Sequence, residues 1–268
     1  MSLVRKLSFL LRVLSLLSLV PTVALLPATA VPLSLDPGNG TRFAVLQMNL
    51  CLSGQADCYP DTAYPAILDE ATTQILHDDP EAATIDEACS GDVAEIARRT
   101  GYQLRFATVL VEEAPLPCVD PGGRGRFGIA VLTKERVAVS ADQAFATQSG
   151  PEQRRWSCAT TSRAVTVCTA HLSTRGSAGG RRVNDGECAE LAAILARYTK
   201  VGTTFFGGDL NRHRPCAPDT MWATADTAAA QVPGLQHIYG TTSGKEPYQR
   251  AHPARHTDHD FFLAGVGS

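Results

Sequence analysis

Seven polar side chains stand where short apolar runs end. They are Asn49 in Gln47-Met48-Asn49-Leu50, Glu87 in Ile85-Asp86-Glu87, His171 in Thr169-Ala170-His171-Leu172, Asp209 and Asn211 in Gly207-Gly208-Asp209-Leu210-Asn211, and Asp258 and His259 in Thr257-Asp258-His259-Asp260. Residues two apart in extended chain point the same way, so Asp209 and Asn211 can address one site. Any one of these residues alone reads as a turn residue. Together they form a set suited to hydrolysing a phosphodiester, which needs charge neutralisation, an aligned water and help for the leaving group. Glu87 is a hard oxygen ligand of the kind Mg²⁺ prefers, and Asn49 is placed with it in the candidate metal site. A histidine with a pKa near neutrality can serve as base or acid.

The elements that must position these groups alternate in type. Strand-like runs fall at 43–50, 83–86, 103–110, 127–133, 153–160, 164–171, 203–208 and 259–264, and helical patterns at 62–77, 92–100 and 188–198. Leu191, Ile194, Leu195 and Tyr198 keep the spacing of one buried helix face. Ser90 reads as an N-cap and Gly101 as a C-terminal stop for 92–100. Strands interleaved with helices imply an α/β protein, and the adjacent runs between 103 and 171 imply hairpins and hence a mixed sheet. Strand ends of such sheets are where ligand crevices form.

The order Met-Asn-Leu, Asp-Glu, Ala-His-Leu, Gly-Asp-Leu-Asn, Thr-Asp-His resembles the endonuclease/exonuclease/phosphatase superfamily, and Arg126-Phe127-Gly128-Ile129-Ala130-Val131-Leu132 is similar to that family's Gly-x-Ala-hydrophobic-Leu strand. The resemblance spans residues 43–263 and, through His171, points to the deoxyribonuclease and sphingomyelinase branch. It implies a four-layer α/β sandwich of two stacked mixed sheets covered by helices, and a catalytic set of His171, Asp209, Asn211, Asp258 and His259. By resemblance His259 activates water, Asp209 places that water, Asn211 donates to the phosphate, Asp258 orients the adjacent site or contacts metal, and His171 contacts a non-bridging oxygen or the leaving group. The cofactor implied is Mg²⁺, with Mn²⁺ or Ca²⁺ as substitutes. One departure stands out: the aspartate that buttresses the histidine in the family's Ile-Asp-x-Ile strand is matched by Gln236 in Leu235-Gln236-His237-Ile238-Tyr239. A neutral amide can hold an imidazole but stabilises imidazolium less.

Residues 1–30 read as a secretory signal peptide: Arg5 and Lys6, an apolar run, then Ala28-Thr29-Ala30, with cleavage near Ala30 and no stable membrane anchor afterwards. Residues 31–268 then form one catalytic domain, expected to be monomeric. Losing Arg5, Lys6 and Arg12 takes the 24 basic residues to 21 against 27 acidic ones, a formal charge of −6. That balance lacks the broad basic footprint of a non-specific nucleic-acid binder, so a polyanion must be met by a local basic patch or by metal. All eight cysteines lie in the exported part, an even count that reads as four disulfides. Cys158 with Cys168 and Cys51 with Cys58 are plausible pairs, and the remaining pairing is open.

Arg126, Arg155 and Arg175 are the candidate phosphate contacts, in clusters with Arg124, Arg154, Arg181 and Arg182. The Gly122–Arg126 stretch reads as a mobile loop over bound substrate. Trp156 reads as core. His252, His256, His259 and His213 could hold zinc, although an exposed histidine-bearing loop explains them more simply. The leading expectation is a secreted DNase-like nuclease acting on nucleic acid. The alternatives are a phosphodiesterase of phospholipid head groups or small phosphoesters, and a non-catalytic secreted binding protein on the same fold.

Overall fold

The computed structural model describes residues 42–148, 150–241 and 246–267. The expected signal peptide lies outside the described residues. The strands are β1 (Phe43–Asn49), β2 (Ala82–Cys89), β3 (Gln103–Thr108), β4 (Leu110–Val111), β5 (Ala114–Pro115), β6 (Phe127–Thr133), β7 (Val137–Ala144), β8 (Arg155–Thr161), β9 (Thr166–Ala170), β10 (Thr204–Asp209), β11 (Met221–Ala225), β12 (Gln236–Thr241), β13 (Pro247–His252) and β14 (Phe261–Val266). The helices are α1 (Ala66–Asp78), α2 (Ser90–Thr100) and α3 (Ala178–Thr199).

Two mixed six-stranded sheets result, ordered β13-β14-β1-β2-β6-β3 and β11-β12-β10-β9-β8-β7. Side chains alternate across each strand, so each sheet has an outer and an inner face. Ala44, Leu46 and Met48 of β1 face outward and pack with Ile67 and Ile75 of α1 and Val93 and Ile96 of α2. On the other sheet, Cys168, Ala170 and Phe206 pack with Leu191, Ile194 and Leu195 of α3. Between the sheets, Val45 meets Phe205, Ile238, Phe262 and Ala264. This is the four-layer sandwich expected from the sequence.

A polar ladder interrupts the apolar layer between the sheets. Thr84 Oγ1 donates to Gln47 Oε1 at 2.5 Å, and Gln47 Nε2 donates to Asp86 Oδ2 at 3.0 Å. Asp86 then crosses to the second sheet, accepting from Thr169 Oγ1 at 3.2 Å and from the Asp209 backbone N–H at 2.7 Å. Burial pushes its carboxyl well above the ordinary carboxylate range. Gly207 is required at this level, because a Cβ there would collide with Thr84 Oγ1.

Several expectations are corrected. Helix α3 begins ten residues before Cys188, because Ser177 caps it: its hydroxyl accepts from the Gly180 N–H at 3.0 Å. Ser90 is inside α2 rather than its N-cap; Cys89 takes that place, and Ser90 Oγ accepts from the Arg126 N–H. Strands β7, β11 and β13 have no counterpart among the strand-like runs of the sequence. Their partly or fully exposed residues lack the apolar run or clean alternation that marks a half-buried strand. The Gly122–Arg126 loop is anchored. Arg124 is buried, ion-pairs Asp92 at 2.7 Å and stacks over Tyr64.

Four disulfides join Cys51–Cys58, Cys89–Cys118, Cys158–Cys168 and Cys188–Cys216. The second ties the chain before β6 to the start of α2, and the fourth ties α3 to the loop after β10. Among the described residues no helix is long and apolar enough to cross a membrane.

The end of α1 carries a charge cluster with a measurable signature. Asp78 accepts from Gln74 Nε2 at 2.8 Å and lies 2.9 Å from His252 Nε2 on β13. Burial opposes its charge, but the bonds to His252 and Gln74 prevail and hold it down at about 2. A depressed carboxyl contributes stability that is present above its unfolded pKa and is lost as pH falls toward the folded value. Asp78→Asn should therefore cost about 2 kcal/mol near neutrality, the worth of a shift approaching two units. The gap from wild type should narrow steadily between pH 5 and pH 3 in urea unfolding. A gap independent of pH would show that packing, not charge, makes the contribution.

Candidate active site

Parallel pairing sets the site. β1 runs parallel to β2, and β9 runs parallel to β10, so both pairs discharge their C-terminal ends at the same edge of the sandwich. Asn49 ends β1, Asp209 ends β10, and His171 follows β9 directly. The pairing of β2 with β6 shifts register between Ile85 and Ala88, and Glu87 sits there at φ 51°. This bulge turns Asp86 between the sheets and Glu87 into the cleft, as bulges beside active sites commonly re-aim a side chain. His259 precedes β14, which returns antiparallel to β1.

Five of the seven groups converge closely around Asp209. Asn49 Nδ2 donates to Glu87 Oε1 at 2.9 Å and to Asp209 Oδ2 at 3.2 Å. His259 Nε2 lies 3.4 Å from Asp209 Oδ2, and His171 Nε2 lies 3.9 Å from it. Asn211, at φ 51°, donates its backbone N–H to Asp209 Oδ1 at 2.8 Å, and its Nδ2 lies 3.0 Å from His171 Nε2. Asp258 stands behind His259, with Oδ1 2.9 Å from Nδ1. Glu87, His171, Asp209, Asn211 and His259 line one cleft of about 480 Å³, walled on one side by the loop from Ser53 to Cys58.

Electrostatics separates the two imidazoles. Burial, reinforced by the Arg154 guanidinium, drives His171 down to about 3, so it is neutral and its Nε2 can accept from Asn211. Burial also opposes charge on His259, but the carboxylates of Asp209 and Asp258 raise it to about 10. Asp209 is held below the usual carboxylate range: its burial is outweighed by the His259 hydrogen bond. Burial lifts Glu87 to about 6 against the pull of Asn49 and Arg154.

Glu87 fits a divalent cation. It is a hard oxygen donor facing the cleft, and among the described residues its one ion-pair partner within 4.0 Å is His171, which is neutral. The adjacent Cys51 and Cys58 sulfurs are bonded to each other, so no thiolate is available beside it. Asn49 turns its amide nitrogen toward the carboxylates and its Oδ1 toward the Cys51 N–H at 3.2 Å. In this orientation it organises Glu87 and Asp209.

The three arginines singled out from sequence lie apart from this cleft. Arg155 pairs with Asp142 at 2.8 Å and also bonds Thr108 O. Arg175 pairs with Asp185 at 2.6 Å, and Arg126 is exposed, its backbone N–H bonded to Ser90 Oγ. The guanidinium that lines the cleft is Arg154, with 13% of its side chain exposed and Glu152 at 3.1 Å. Neighbouring residues of extended chain face opposite ways, so the choice between Arg154 and Arg155 depended on strand parity that the sequence did not reveal. Trp156 is buried in the core under α3, as expected. His252 and His256 are engaged separately by Asp78 and Glu70, so the histidine cluster does not gather on one ion.

Gln236 occupies the position of the expected buttress, paired in register with Asp209. Its amide nitrogen is directed to Asp226 Oδ2 at 3.3 Å and to the Asp260 carbonyl at 2.5 Å. Asp258 is therefore the carboxylate on His259 Nδ1.

This arrangement has the fold of the endonuclease/exonuclease/phosphatase superfamily. An endonuclease/exonuclease/phosphatase from Beutenbergia cavernae DSM 12333 superposes with a TM-score of 0.63 at 15% identity, over 84% of this chain and 71% of that one. The human Nocturnin catalytic domain with bound sulfate gives 0.62 at 15% identity, over 84% and 92%. D. rerio TDP2 complexed with single strand DNA product gives 0.57 at 11% identity, over 85% and 100%. No protein-family model and no curated protein matches the sequence.

Proposed function

We propose that this chain is an exported, divalent-metal-dependent phosphodiesterase and, more specifically, a DNase-like nuclease. The observation that carries this reading is the convergence of Glu87, His171, Asp209, Asn211 and His259, from strands of both sheets, at one cleft, with Asn49 bonded to Glu87 and Asp209 beside it. The neighbours named for a DNA product and a bound sulfate are consistent with an anionic, phosphate-like ligand in this fold. Export is supported by the 1–30 pattern and by four disulfides.

Glu87 is the residue that would hold the cation, with Asn49 keeping its carboxylate in place. When bound there, a divalent ion would supply charge neutralisation for the phosphodiester, and its positive charge would favour the neutral form of His259 that a base requires. His259 Nε2, 3.4 Å from Asp209 Oδ2, is the atom that takes the proton of an attacking water, with Asp209 helping to orient that water. Asp258 fixes the ring by holding Nδ1–H, which leaves Nε2 as the basic atom. Asn211 and neutral His171 form a hydrogen-bonded pair beside Asp209, with Asn211 Nδ2 also donating to the Leu172 carbonyl at 2.9 Å, and this pair is the candidate contact for phosphate oxygens as charge builds. Arg154 adds fixed positive charge at the cleft wall.

Plasmid DNA incubated with the oxidised protein and Mg²⁺ should be nicked or linearised, with EDTA abolishing the reaction. Intact plasmid alongside turnover of phosphocholine or small phosphodiesters would transfer the assignment to the lipid or small-ester class. Arg154→Ala should raise KM for a polynucleotide about 10-fold, in line with loss of one charge-assisted hydrogen bond of about 1.5 kcal/mol. An unchanged KM in steady-state kinetics would show that Arg154 serves Glu152 rather than substrate.

A further inference from the structure

Two polar side chains on the buried face of α3 take no part in that chemistry. Asn184 and Glu187 have no exposed surface, although they lie on a helix whose neighbouring buried positions are Leu191, Ile194 and Leu195. Asn184 Nδ2 donates to the Ser173 carbonyl at 2.7 Å and to the Leu210 carbonyl at 2.8 Å. Its Oδ1 accepts from Arg175 Nη1 at 2.9 Å and from Arg212 Nη1 at 3.0 Å. Both donors and both lone pairs of the amide are therefore engaged. Ser173 and Arg175 follow His171 on one loop, while Leu210 and Arg212 flank Asn211 on the other, so each loop receives one donor and one acceptor contact.

The surroundings reinforce this clamp. One turn further along α3, Glu187 accepts from the Ser173 N–H and from Ser173 Oγ, both at 2.7 Å. Asp185 accepts from Arg175 at 2.6 Å and from Arg212 at 2.9 Å, so one carboxylate bridges both guanidinium groups. These contacts hold Arg175, which is not among the residues that line the cleft. The two loops meet at the His171 Nε2–Asn211 Nδ2 contact and at Leu172, whose N–H donates to the Asp209 carbonyl at 3.0 Å and whose carbonyl accepts from Asn211 Nδ2 at 2.9 Å, and the side-chain pair depends on how the loops are held.

We propose that Asn184 is a positioning residue that sets the separation of the His171 loop from the Asp209–Asn211 loop and thereby aligns the His171–Asn211 pair. The role demands an amide. A carboxylate keeps the arginine contacts but has no hydrogen to give the two carbonyls, and an aliphatic side chain removes the donor from both carbonyls and leaves the arginines to Asp185. As a contribution to catalysis it rests on the phosphodiesterase reading; as a statement about loop geometry it does not.

The test compares Asn184→Asp and Arg212→Ala with wild type, all as the oxidised full chain. Steady-state kinetics with Mg²⁺ and a phosphodiester substrate are combined with imidazole nitrogen NMR recorded without substrate. Asn184→Asp should lower kcat about 10- to 100-fold, as misplacements near 1 Å do, while KM stays within about threefold. The His171 ring resonances should shift, and those of His256, held by Glu70 elsewhere, should not. Arg212→Ala removes one contact on the second loop and should give the same His171 shift with a smaller loss of kcat; it keeps the proposal decidable should Asn184→Asp fail to fold. Unmoved His171 resonances in a folded variant, or kcat within twofold of wild type, would overturn the proposal. A wild-type protein inactive on every phosphoester would instead remove the phosphodiesterase reading, and the NMR arm would then decide the positioning claim alone.

Discussion

His259→Ala is expected to reduce kcat for phosphodiester hydrolysis by about 10³-fold, within the range usual for loss of a general base. The ring bridges Asp209 and Asp258, so its removal deletes the proposed base while leaving both carboxylates in place. Two adjoining carboxylates without an intervening cation repel each other, so a stability loss should accompany the kinetic one. Imidazole added to the assay should restore part of the rate, because the alanine leaves space at the cleft floor. Single-turnover kinetics with radiolabelled or fluorescent substrate would separate this chemical defect from weaker binding. A variant that keeps more than a tenth of wild-type kcat would assign the base elsewhere, with His171 the first candidate.

Glu87→Gln should have the second large effect and, unlike the first, should act through the cation. Ligand binding to the folded state alone stabilises by RT ln(1 + [L]/Kd), about 2.7 kcal/mol at a hundredfold excess over Kd. For a domain of this size that corresponds to a rise in Tm of roughly 5–10 °C. Wild type should show this rise with Mg²⁺ and lose it with EDTA; Glu87→Gln should show neither, and its activity should fall by about 10²-fold or more. The cation-free proteins should differ in the opposite sense. Because burial raises Glu87 to about 6, the folded state resists its ionisation, and a raised carboxyl loses stability as pH climbs through the interval between its unfolded and folded pKa values. Glu87→Gln without cation should therefore exceed wild type by about 1–2 kcal/mol at pH 8, with the gap closing below about pH 4.5. Retention of the full Mg²⁺ response by Glu87→Gln would place the cation on other ligands.

The two variants are complementary diagnostics. One should abolish turnover and preserve the Mg²⁺ response; the other should abolish both. A protein whose wild-type form shows a Mg²⁺ response but no turnover on nucleic acid would be a phosphoesterase of another substrate class.

Much of this candidate site is legible in the sequence because its polar groups sit at strand termini, where the chain changes abruptly from apolar to polar. Asn49, Glu87, His171, Asp209, Asn211, Asp258 and His259 each follow an apolar run or lead into one, and local pattern suffices to place them at a sheet edge. The two buried strand pairs read clearly for the same reason, as does the apolar face of α3. Less legible are elements whose stability comes from pairing rather than from their own side chains. β7 is an exposed edge strand with Val139 61% exposed, and its residues are held by hydrogen bonds to β8 that no pattern within β7 announces.

What the sequence determined by itself was the set of candidate reacting groups, their order and the disulfide-rich character of the chain. What only the tertiary structure decided was which partners those groups have. Asp258 rather than the Gln236 position holds His259 Nδ1; Arg154 rather than Arg155 enters the cleft; Asp86 joins the sheets instead of facing the site; and Asn184, an ordinary polar residue in a helix, reaches both the His171 loop and the Asn211 loop. For Asp86 and Asn184 the reason is distance along the chain. Residue type and strand position are local properties, written in the period of the chain, whereas a hydrogen-bond partner many residues away is chosen by packing two twisted sheets and three helices into contact.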